Sequence, residues 1–553
     1  MGRPGNCFFI SYCRPLSTNT SRSASAAPKL KTLGLVEFSR PPLLAILLAL
    51  AILGARAEET PDPSVVAVSG GLVRGQPLRD GGGAVFRGVP FARPPVGEYR
   101  WREPAPVVPW AGIREAVKSG PPAAQMSLGW NAAGAAASSE DCLYLDVWTP
   151  GAATRAPRPV MVWIHGGGNV AGAGGFDALY DGEALISHGI VLVVIEYRLG
   201  IFAFLAHPEL TAESVHHSSG NYGILDQIAA LKWVRENIAR FGGDPHNVTV
   251  FGQSAGAIDV LALMATPLSK GLFHKAIAES GPLNRAMSQS LPEAEAVGGA
   301  VAGDAASDLK TLRSMSVAGL LKIQTKVHGL RPFTADGWVF PEGPFDVWRA
   351  GREHAVPLVV GSNGVEFAFG GSTDELKASI ADFAGKRAPE ALALYGLSGA
   401  GAPVADPLYG TAADQWGSDQ FRCYPIIVGE WHASRGWPTW QYEFDRAIPP
   451  HPRVEHSGEL AYVFGNLHKT GNMPGDYDDA DHSLSARIQE YWTNVAKTGN
   501  PDGPGFPEWP RFDGAGRLYA CFTTDARIEV RANQRRPFVD LFRAVLEEKP
   551  LAP

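Results

Sequence analysis

The chain has 553 residues, 45% hydrophobic and 19% charged, which is the composition of a globular protein rather than a fibrous or disordered one. A formal net charge of −7 provides no bulk attraction to nucleic acid, so no nucleic-acid partner is expected. The 63 glycines and 44 prolines follow no fixed period, which excludes solenoid repeats. Five cysteines are too few for a disulfide framework of the small secreted kind.

Residues 1–57 are predicted to be a leader that carries a secretory signal peptide. An unbroken apolar run occupies residues 43–53, and small residues then lead to a cleavage site after Ala57. Because spanning a bilayer takes roughly 20 residues, this run predicts a secreted or periplasmic protein with no stable membrane anchor. The leader holds seven basic residues and one acidic residue, so its removal changes the formal net charge from −7 to −13.

Residues 58–553 are predicted to form a single domain, because no linker long enough to separate two folds interrupts them. Short, β-branched, apolar segments alternate with an amphipathic helix at residues 225–240, as in parallel strands that are covered on both faces. This order predicts an α/β fold with a doubly wound, mostly parallel sheet and helices on both faces. The predicted strands are residues 160–164, 191–197, 248–251, 357–360 and 437–444.

The first motif with chemical meaning is Gly252-Gln253-Ser254-Ala255-Gly256, between the strand 248–251 and an apolar helical stretch. The G-x-S-x-G pattern alone is weak in a chain this rich in glycine. A tight strand-to-helix turn, however, needs glycines two positions on either side of a strained central residue. The context therefore favours a nucleophile elbow with an exposed Ser254 hydroxyl over an ordinary turn.

Glycines also follow the strand 160–164, in the run His165-Gly166-Gly167-Gly168. Backbone N–H groups can converge on a developing oxyanion only where no Cβ blocks them. The N–H groups of Gly167, Gly168 and Ala255 are therefore predicted to form an oxyanion hole. The alternative is a flexible glycine loop after a strand.

A serine hydroxyl needs a base that takes its proton, and that base needs an acid that fixes its tautomer. In a fold with a nucleophile elbow the chain order is serine, acid, histidine. Glu366 follows the predicted strand 357–360 and is the candidate acid, although a lone Glu in a loop is more often a solvated surface residue. Among the later histidines, His456 stands out because it lies in a loop ahead of an apolar run, residues 460–464. The histidines that remain open on spacing alone are His432, His451, His456, His468 and His482.

These motifs together resemble the type-B carboxylesterase family of α/β-hydrolases. The most specific pieces are FGGDP at residues 241–245 and EDCLYLDV at residues 140–147, and the resemblance covers nearly all of residues 58–553. It implies a catalytic domain that hydrolyses small-molecule carboxylic esters through an acyl-enzyme, with no metal or cofactor. It further implies that Ser254 is the nucleophile, Glu366 the triad acid and His456 the base. The oligomeric state stays open.

Departures from the family pattern lead to expectations about the substrate pocket. Cholinesterases carry a Glu before the nucleophile, whereas the neutral Gln253 weakens attraction for a cationic substrate. Met287 stands where those enzymes have an acyl-pocket Trp, which predicts a roomier acyl site. Trp130 and Phe369 are candidate aromatic contacts of the same pocket.

Cysteine positions depart from the family as well. Cys142 would pair with an earlier cysteine in many relatives, but here that segment reads Ala-Ala-Gln at residues 123–125. Cys521 is offset from the position that would pair with Cys423. We therefore expect no family disulfide and a looser loop near the pocket.

Residues 368–420, rich in Gly, Ala and Pro, are expected to be an excursion over the active-site face rather than a second fold. Other functions remain possible on the same scaffold. These are a narrow detoxifying esterase of large esters, an amidase, and a non-enzymatic adhesion protein. The last is disfavoured because all three triad positions hold competent residues.

Overall fold

The computed structural model describes residues 62, 64–78, 82–151, 156–301, 308–399, 405–449, 451–468 and 475–548. The predicted leader, with its apolar run 43–53 and cleavage site after Ala57, lies outside the described residues. The strands are β1 Val65–Val68, β2 Gly71–Arg74, β3 Gln76–Pro77, β4 Ala84–Pro90, β5 Ile113–Glu115, β6 Tyr144–Thr149, β7 Arg158–Ile164, β8 Val191–Ile195, β9 Gly243–Gln253, β10 Lys275–Glu279, β11 Ser288–Ser290, β12 Phe333–Ala335, β13 Leu358–Asn363, β14 Thr439–Phe444, β15 Leu518–Phe522 and β16 Ile528–Ala532.

Helices of very different length connect these strands. The α-helices are α1 Ala132–Ala137, α2 Glu183–Ser187, α3 Gly200–Phe204, α4 Pro208–Glu213, α5 Tyr222–Asn237, α6 Ala255–Ala265, α7 Leu291–Val301, α8 Leu309–Ser314, α9 Val317–Gln324, α10 Pro344–Ala350, α11 Thr373–Ala384, α12 Ala388–Leu394, α13 Ala412–Ser434, α14 Leu460–Phe464, α15 Asp479–Thr498 and α16 Arg536–Glu548. The 3-10 helices are Gly97–Tyr99, Ala178–Tyr180, Ile238–Phe241, Pro267–Ser269, Arg285–Met287 and Gly385–Arg387. No helix within the described ranges is long and apolar enough to cross a bilayer.

The central sheet has eleven strands in the order β16-β15-β14-β13-β10-β9-β7-β8-β6-β4-β3. Its middle strands, from β15 to β8, are parallel neighbours, and antiparallel strands flank them on both sides. Small sheets of β1-β2-β5 and β11-β12 accompany it. The arrangement confirms the predicted doubly wound, mostly parallel α/β fold.

Side chains of the middle strands alternate between two core clusters on opposite faces of the sheet. In β7, Val160, Val162 and Ile164 pack into one cluster, whereas Met161 and Trp163 pack into the other. Burial on both faces explains why these strands read as continuous apolar runs in the sequence. Parallel strands also place their carboxyl ends at one edge, which is where the loops with polar residues emerge.

Element boundaries differ modestly from the predicted ones. Helix α5 begins at Tyr222 and ends at Asn237, three residues earlier at each end than predicted. A 3-10 turn follows it, and Gly242 then adopts a left-handed conformation with φ 81° that stops the helix. In the excursion 368–420, the Phe369 N–H donates to the Ala413 carbonyl at 2.9 Å and ties its two ends together.

Candidate active site

Ser254 lies at the turn between β9 and α6, in a conformation that side chains rarely adopt. Its backbone has φ 57° and ψ −123°. Two backbone hydrogen bonds hold it there: Ser254 N–H donates to Glu279 O at 2.8 Å, and Ile258 N–H donates to Ser254 O at 3.0 Å. Strain of this kind persists where the surrounding fold enforces it, and it leaves the half-buried serine at the tip of the turn.

The two glycines of the elbow are required by close backbone approach. A Cβ on Gly256 would lie 2.0 Å from the Ile164 carbonyl oxygen, and one on Gly252 would lie 2.7 Å from the same atom. Both distances are much shorter than a van der Waals contact between carbon and oxygen. The elbow can therefore pack against the end of β7 only because these positions are glycine.

The glycine run after β7 packs directly against the elbow. A Cβ on Gly166 would lie 3.1 Å from Ser254 Cβ. Gly167 and Gly168 follow with φ values of 111° and 66°, which glycine adopts readily. Ala255 is the first residue of α6, so its N–H is free of the helix's own hydrogen bonds.

Glu366 follows the carboxyl end of β13 and is buried, with 3% of its surface exposed. Three donors converge on its carboxylate: Asn363 N–H at 2.7 Å, Ser280 Oγ at 2.6 Å and His456 Nδ1 at 2.5 Å. A carboxylate surrounded by donors suits a negative charge. The structure therefore joins Glu366 to His456, from five candidate histidines, in one hydrogen-bonded pair.

The other nitrogen of His456 faces the elbow. Its Nε2 lies 3.2 Å from the Gln253 side-chain nitrogen. Among the hydrogen bonds of the described residues, Gln253 rather than the Ser254 hydroxyl is the partner of this nitrogen. Phe367 and Phe421 flank the imidazole, with ring centroids 4.3 and 5.1 Å away. Sequence reasoning missed both rings, although Phe367 directly follows Glu366.

The remaining predicted pocket residues lie in different surroundings. Gln253 is buried at the elbow. Met287 ends a 3-10 turn and Phe369 begins the excursion, and both are half-buried against the larger core cluster. Trp130 is 48% exposed on the loop before α1.

Hydrogen bonds hold the loop that was expected to be looser near the pocket. Cys142, Cys423 and Cys521 are free buried thiols. Gln125 accepts from Gly172 N–H at 2.9 Å and donates to Gly172 O at 2.6 Å, and Asn131 donates to Gln125 at 2.7 Å. Gln125 thus fastens this loop to Gly172, four residues after the glycine run.

A buried polar network supports the glycine run from behind. The Tyr197 hydroxyl donates to His165 O at 2.8 Å, and Asn169 donates to Asp259 at 2.9 Å. Gln227 donates to the other oxygen of Asp259 at 2.6 Å. Burial raises the pKa of Asp259 to about 7 despite these two donors. Because Asp259 belongs to α6, the network links the helix after the nucleophile to the glycine run.

One group of metal-ligating side chains occurs among the described residues: Glu443, Asp445 and Cys521, all buried. Side chains of the protein contact this group. Cys521 Sγ donates to Asp445 at 3.3 Å, and Arg531 lies 3.6 Å from the same carboxylate. The Tyr409 hydroxyl donates to Glu443 at 2.9 Å. It lies at the ends of β14 and β15, three and four strands from β9 in the sheet order.

A strained serine at a strand-to-helix turn, an adjoining glycine run and a Glu–His pair on a parallel sheet are features of serine hydrolases with the α/β-hydrolase fold. The family model of the carboxylesterase family matches residues 62–388 and 409–539. The chain belongs to the carboxylesterase family and is a carboxylic ester hydrolase.

Named relatives span most of the chain. The medium-chain fatty acyl-CoA hydrolase precursor of Anas platyrhynchos is 34% identical over 85% of this chain and 90% of its own. The fumonisin B1 esterase of Sphingopyxis macrogoltabida is 36% identical over 84% of this chain and 87% of its own. A solved structure of a thermophilic PNB esterase superposes with a TM-score of 0.75 at 31% identity, over 87% of this chain and all of that one.

Proposed function

We propose that Ser254, His456 and Glu366 are the catalytic triad of this carboxylesterase, and that the N–H groups of Gly167, Gly168 and Ala255 bind the oxyanion. The observation that carries the proposal is the hydrogen bond of 2.5 Å between Glu366 and His456 Nδ1, with the opposite imidazole nitrogen facing the elbow. An ionised carboxylate can only accept a hydrogen bond, so the proton of the neutral imidazole lies on Nδ1. Nε2 is therefore the nitrogen with the lone pair.

In the acylation step, His456 Nε2 takes the proton of Ser254 as Oγ attacks the ester carbonyl. The electron pair of the carbonyl moves to oxygen, where the N–H groups of the glycine run and of Ala255 stabilise it. Collapse of this intermediate breaks the bond to the alcohol, which leaves with the proton from His456. Glu366 stays ionised throughout and stabilises the imidazolium.

Water then repeats the sequence on the acyl-enzyme. His456 removes a proton from water, the resulting oxygen attacks the acyl carbon, and collapse returns the proton to Ser254. The acid leaves as the second product. The rings of Phe367 and Phe421 pack against His456 and limit the orientations that its imidazole can adopt.

Gln253 must move aside for the serine to engage the base. Its amide occupies His456 Nε2 in this structure, and it precedes Ser254 directly. Catalytic hydrogen bonds often form only when substrate binds. We propose that an entering ester displaces this amide and lets the Ser254 hydroxyl take its place.

The proposed substrates are small-molecule carboxylic esters without a required positive charge. Gln253 is neutral, so the position before the nucleophile attracts no cation. The relatives named for medium-chain fatty acyl-CoA and for fumonisin B1 indicate that the scaffold accommodates acyl and alcohol groups of varied size. Trp130, Met287 and Phe369 are the proposed contacts that select among them.

Labelling with a fluorophosphonate probe, together with hydrolysis of p-nitrophenyl esters, tests the triad. Ser254→Ala should lose labelling and at least about 10³-fold in kcat while it keeps the circular dichroism spectrum of the parent. Ser434→Ala, an exposed serine at the end of α13, serves as the control and should behave like the parent. Labelling of Ser254→Ala at the parent rate would place the nucleophile elsewhere, and a parent chain that neither labels nor hydrolyses esters would indicate an adhesion-type relative.

We also propose that residues 43–53 are the apolar region of an export signal and that the exported protein begins at Glu58. N-terminal sequencing of the exported protein should read Glu-Glu-Thr-Pro. A first residue far from Glu58, or a chain that stays in the cell, would contradict the proposed signal.

A further inference from the structure

A second buried pair of a histidine and a glutamate lies behind the glycine run. His165 precedes the three glycines, and Glu196 follows the carboxyl end of the neighbouring strand β8. The two residues are 0% and 3% exposed, and His165 Nε2 lies 3.6 Å from Glu196 Oε2. At this separation the two atoms lie just beyond hydrogen-bond distance, and among the described residues neither has a hydrogen-bond partner. A small side-chain rotation would bring these two buried polar atoms into a hydrogen bond.

The proton positions in this pair follow from its other contacts. His165 Nδ1 lies 2.8 Å from the Gly166 carbonyl oxygen, which can only accept, so Nδ1 carries a proton. Burial lowers the pKa of His165 to about 4, and the neutral ring then has its lone pair at Nε2. Burial raises the pKa of Glu196 well above its usual range, and the nearby Asp146 and Asp177 raise it further. A protonated Glu196 thus faces an imidazole lone pair across 3.6 Å.

The contact of His165 with Gly166 bears on the proposed oxyanion hole. The carbonyl of Gly166 and the N–H of Gly167 belong to one planar peptide unit and point in opposite directions. Fixing the direction of this carbonyl therefore fixes the direction of the Gly167 N–H. Glycine residues flank this peptide on both sides, so no side chain of its own fixes its orientation.

Glu196 also holds the far end of the same segment. Its Oε1 accepts from Gly174 N–H at 2.6 Å. Between the two anchored points, a Cβ on Gly172 would lie 2.3 Å from Gly166 O and 2.6 Å from His165 Nδ1. The segment from His165 to Gly174 is thus folded tightly back on itself, with Glu196 in contact with both of its ends.

We propose that Glu196 is a positioning residue for ester hydrolysis: its neutral carboxyl group donates to His165 Nε2, fixes the His165 tautomer, and thereby aims the Gly167 N–H at the oxyanion. The inference rests on the proposed role of Gly167. Glu196 itself touches no reacting atom. Its effect is on transition-state stabilisation rather than on ester binding, because the oxyanion forms only after attack.

Steady-state kinetics of Glu196→Gln and Glu196→Leu on p-nitrophenyl butyrate test this. Glutamine can accept from Gly174 N–H and donate to His165 Nε2, so kcat should stay within about 2-fold of the parent. Leucine can do neither, and kcat should fall about 10- to 100-fold with KM within about 2-fold, since removing an oxyanion donor outright costs about 10²- to 10³-fold. A trifluoromethyl ketone, whose adduct with a serine carries an oxyanion, should lose affinity for Glu196→Leu by a similar factor.

Glu353 offers a matched control. It is buried, and it lies 2.9 Å from His432 Nδ1 near the amino end of β13, at the opposite edge of the sheet from the elbow. Glu353→Leu should lower the melting temperature as Glu196→Leu does. Its kcat and its ketone affinity should remain those of the parent at temperatures where it is folded.

The outcomes separate this inference from the proposed triad. A folded Glu196→Leu with parental kcat would overturn the inference and leave the triad untouched, whereas an active Ser254→Ala would overturn the triad. If Glu196→Leu does not fold, the kcat and the ketone affinity of Glu196→Gln test the inference instead. A loss of 10-fold or more in its kcat would mean that Glu196 acts as a charged partner, and parental kcat with parental ketone affinity supports the neutral donor.

Discussion

Two histidine–glutamate pairs lie on opposite sides of the nucleophile strand, and they differ in what surrounds the buried carboxyl group. Glu366 follows β13 and receives three donors, whereas Glu196 follows β8 and receives one. In the sheet order each of these strands is two positions from β9. Burial raises the pKa of Glu196, whose carboxyl group has one donor, so residue identity alone does not decide how a buried carboxyl group behaves.

The surroundings also match what each pair is proposed to do. His456 must gain and lose a proton, so it sits 12% exposed between two aromatic rings and next to a carboxylate. His165 must stay in one tautomer, so it is fully buried against Tyr197, with ring centroids 4.5 Å apart. Burial stabilises a single protonation state, whereas a partly exposed site permits the exchange that catalysis needs.

The largest expected effect comes from making the same substitution in both pairs. Glu366→Gln should lower kcat by about 10³- to 10⁴-fold, because an amide neither fixes the required tautomer nor stabilises the imidazolium. Glu196→Gln should stay within about 2-fold of the parent, because the amide keeps both hydrogen bonds. Hydrolysis of p-nitrophenyl butyrate by the two purified variants measures the difference. Equal losses of kcat in both variants would contradict the difference in role proposed for the two pairs.

The next effect concerns the contact between the elbow and the end of β7. A Cβ on Gly256 would lie 2.0 Å from Ile164 O and 2.8 Å from His165 O, so Gly256→Ala should push the glycine run away from Ser254. We expect the free energy of unfolding to fall by about 2–4 kcal/mol. Chemical denaturation measures it.

Gly299 is the matched control for that substitution. It lies within α7 with nothing within 4 Å of its Cβ position. Gly299→Ala should be neutral or should stabilise by up to about 1 kcal/mol, because alanine favours helix. A Gly256→Ala variant as stable as Gly299→Ala would show that the two regions need no close contact.

The buried polar network behind the glycine run, which includes Asp259, should make the free energy of unfolding depend on pH. The pKa of Asp259 is about 7 in the fold, against an ordinary value of 3.8. The folded state therefore binds more protons between these values, and the contribution of this group is present below about pH 4 and lost as pH rises to about 7.

Asp259→Asn should remove that dependence, which is about 1.4 kcal/mol per pH unit at most. Asparagine fits because Gln227 Oε1 has no partner among the described residues, and the Gln227 amide can rotate to accept from it. Unfolding by urea at pH 5 and pH 7 measures the change. A variant with the same pH dependence as the parent would show that Asp259 is ionised in the folded protein.

The smallest effect is expected at Gln253, whose side-chain nitrogen lies 3.2 Å from the base. A glutamate at this position would place a negative charge beside His456, so Gln253→Glu should favour the imidazolium and move the acid limb of the pH–rate profile up by about one pH unit. Gln253→Leu removes the contact without adding charge and should leave that limb in place. An unmoved limb in Gln253→Glu would show that the side chain leaves His456 before catalysis.

Much of the site could be predicted from the sequence because it depends on local patterns. Gly252 and Gly256 stand two positions on either side of Ser254, so the local pattern identifies the serine before the contact of both glycines with the end of β7 is known. Glu366 was less certain, because a Glu after a strand is informative only once that strand is known to lie in the sheet of β9. His456 was one of five candidates until the resemblance separated it.

Glu196, Asp259, Gln125 and Phe421 gave no such signal. Each acts on a residue far away in the chain, and no periodicity records that contact. Glu196 does follow the carboxyl end of a buried strand. Because the carboxyl ends of parallel strands lie at one edge of the sheet, this position could have identified Glu196 as a candidate site residue. The Ala-Ala-Gln segment at residues 123–125 was noted only for its missing cysteine, whereas the Gln125 amide holds that loop to Gly172.

The sequence by itself determined the alternation of strands and helices, the elbow and the glycine run, because backbone geometry and hydrophobic periodicity are local properties. Only the tertiary structure decided which histidine meets which glutamate. It also decided which pair is surrounded by donors and which is sealed in an apolar interior. Protonation depends on burial and on partners brought together by folding, and residue order alone does not contain that information.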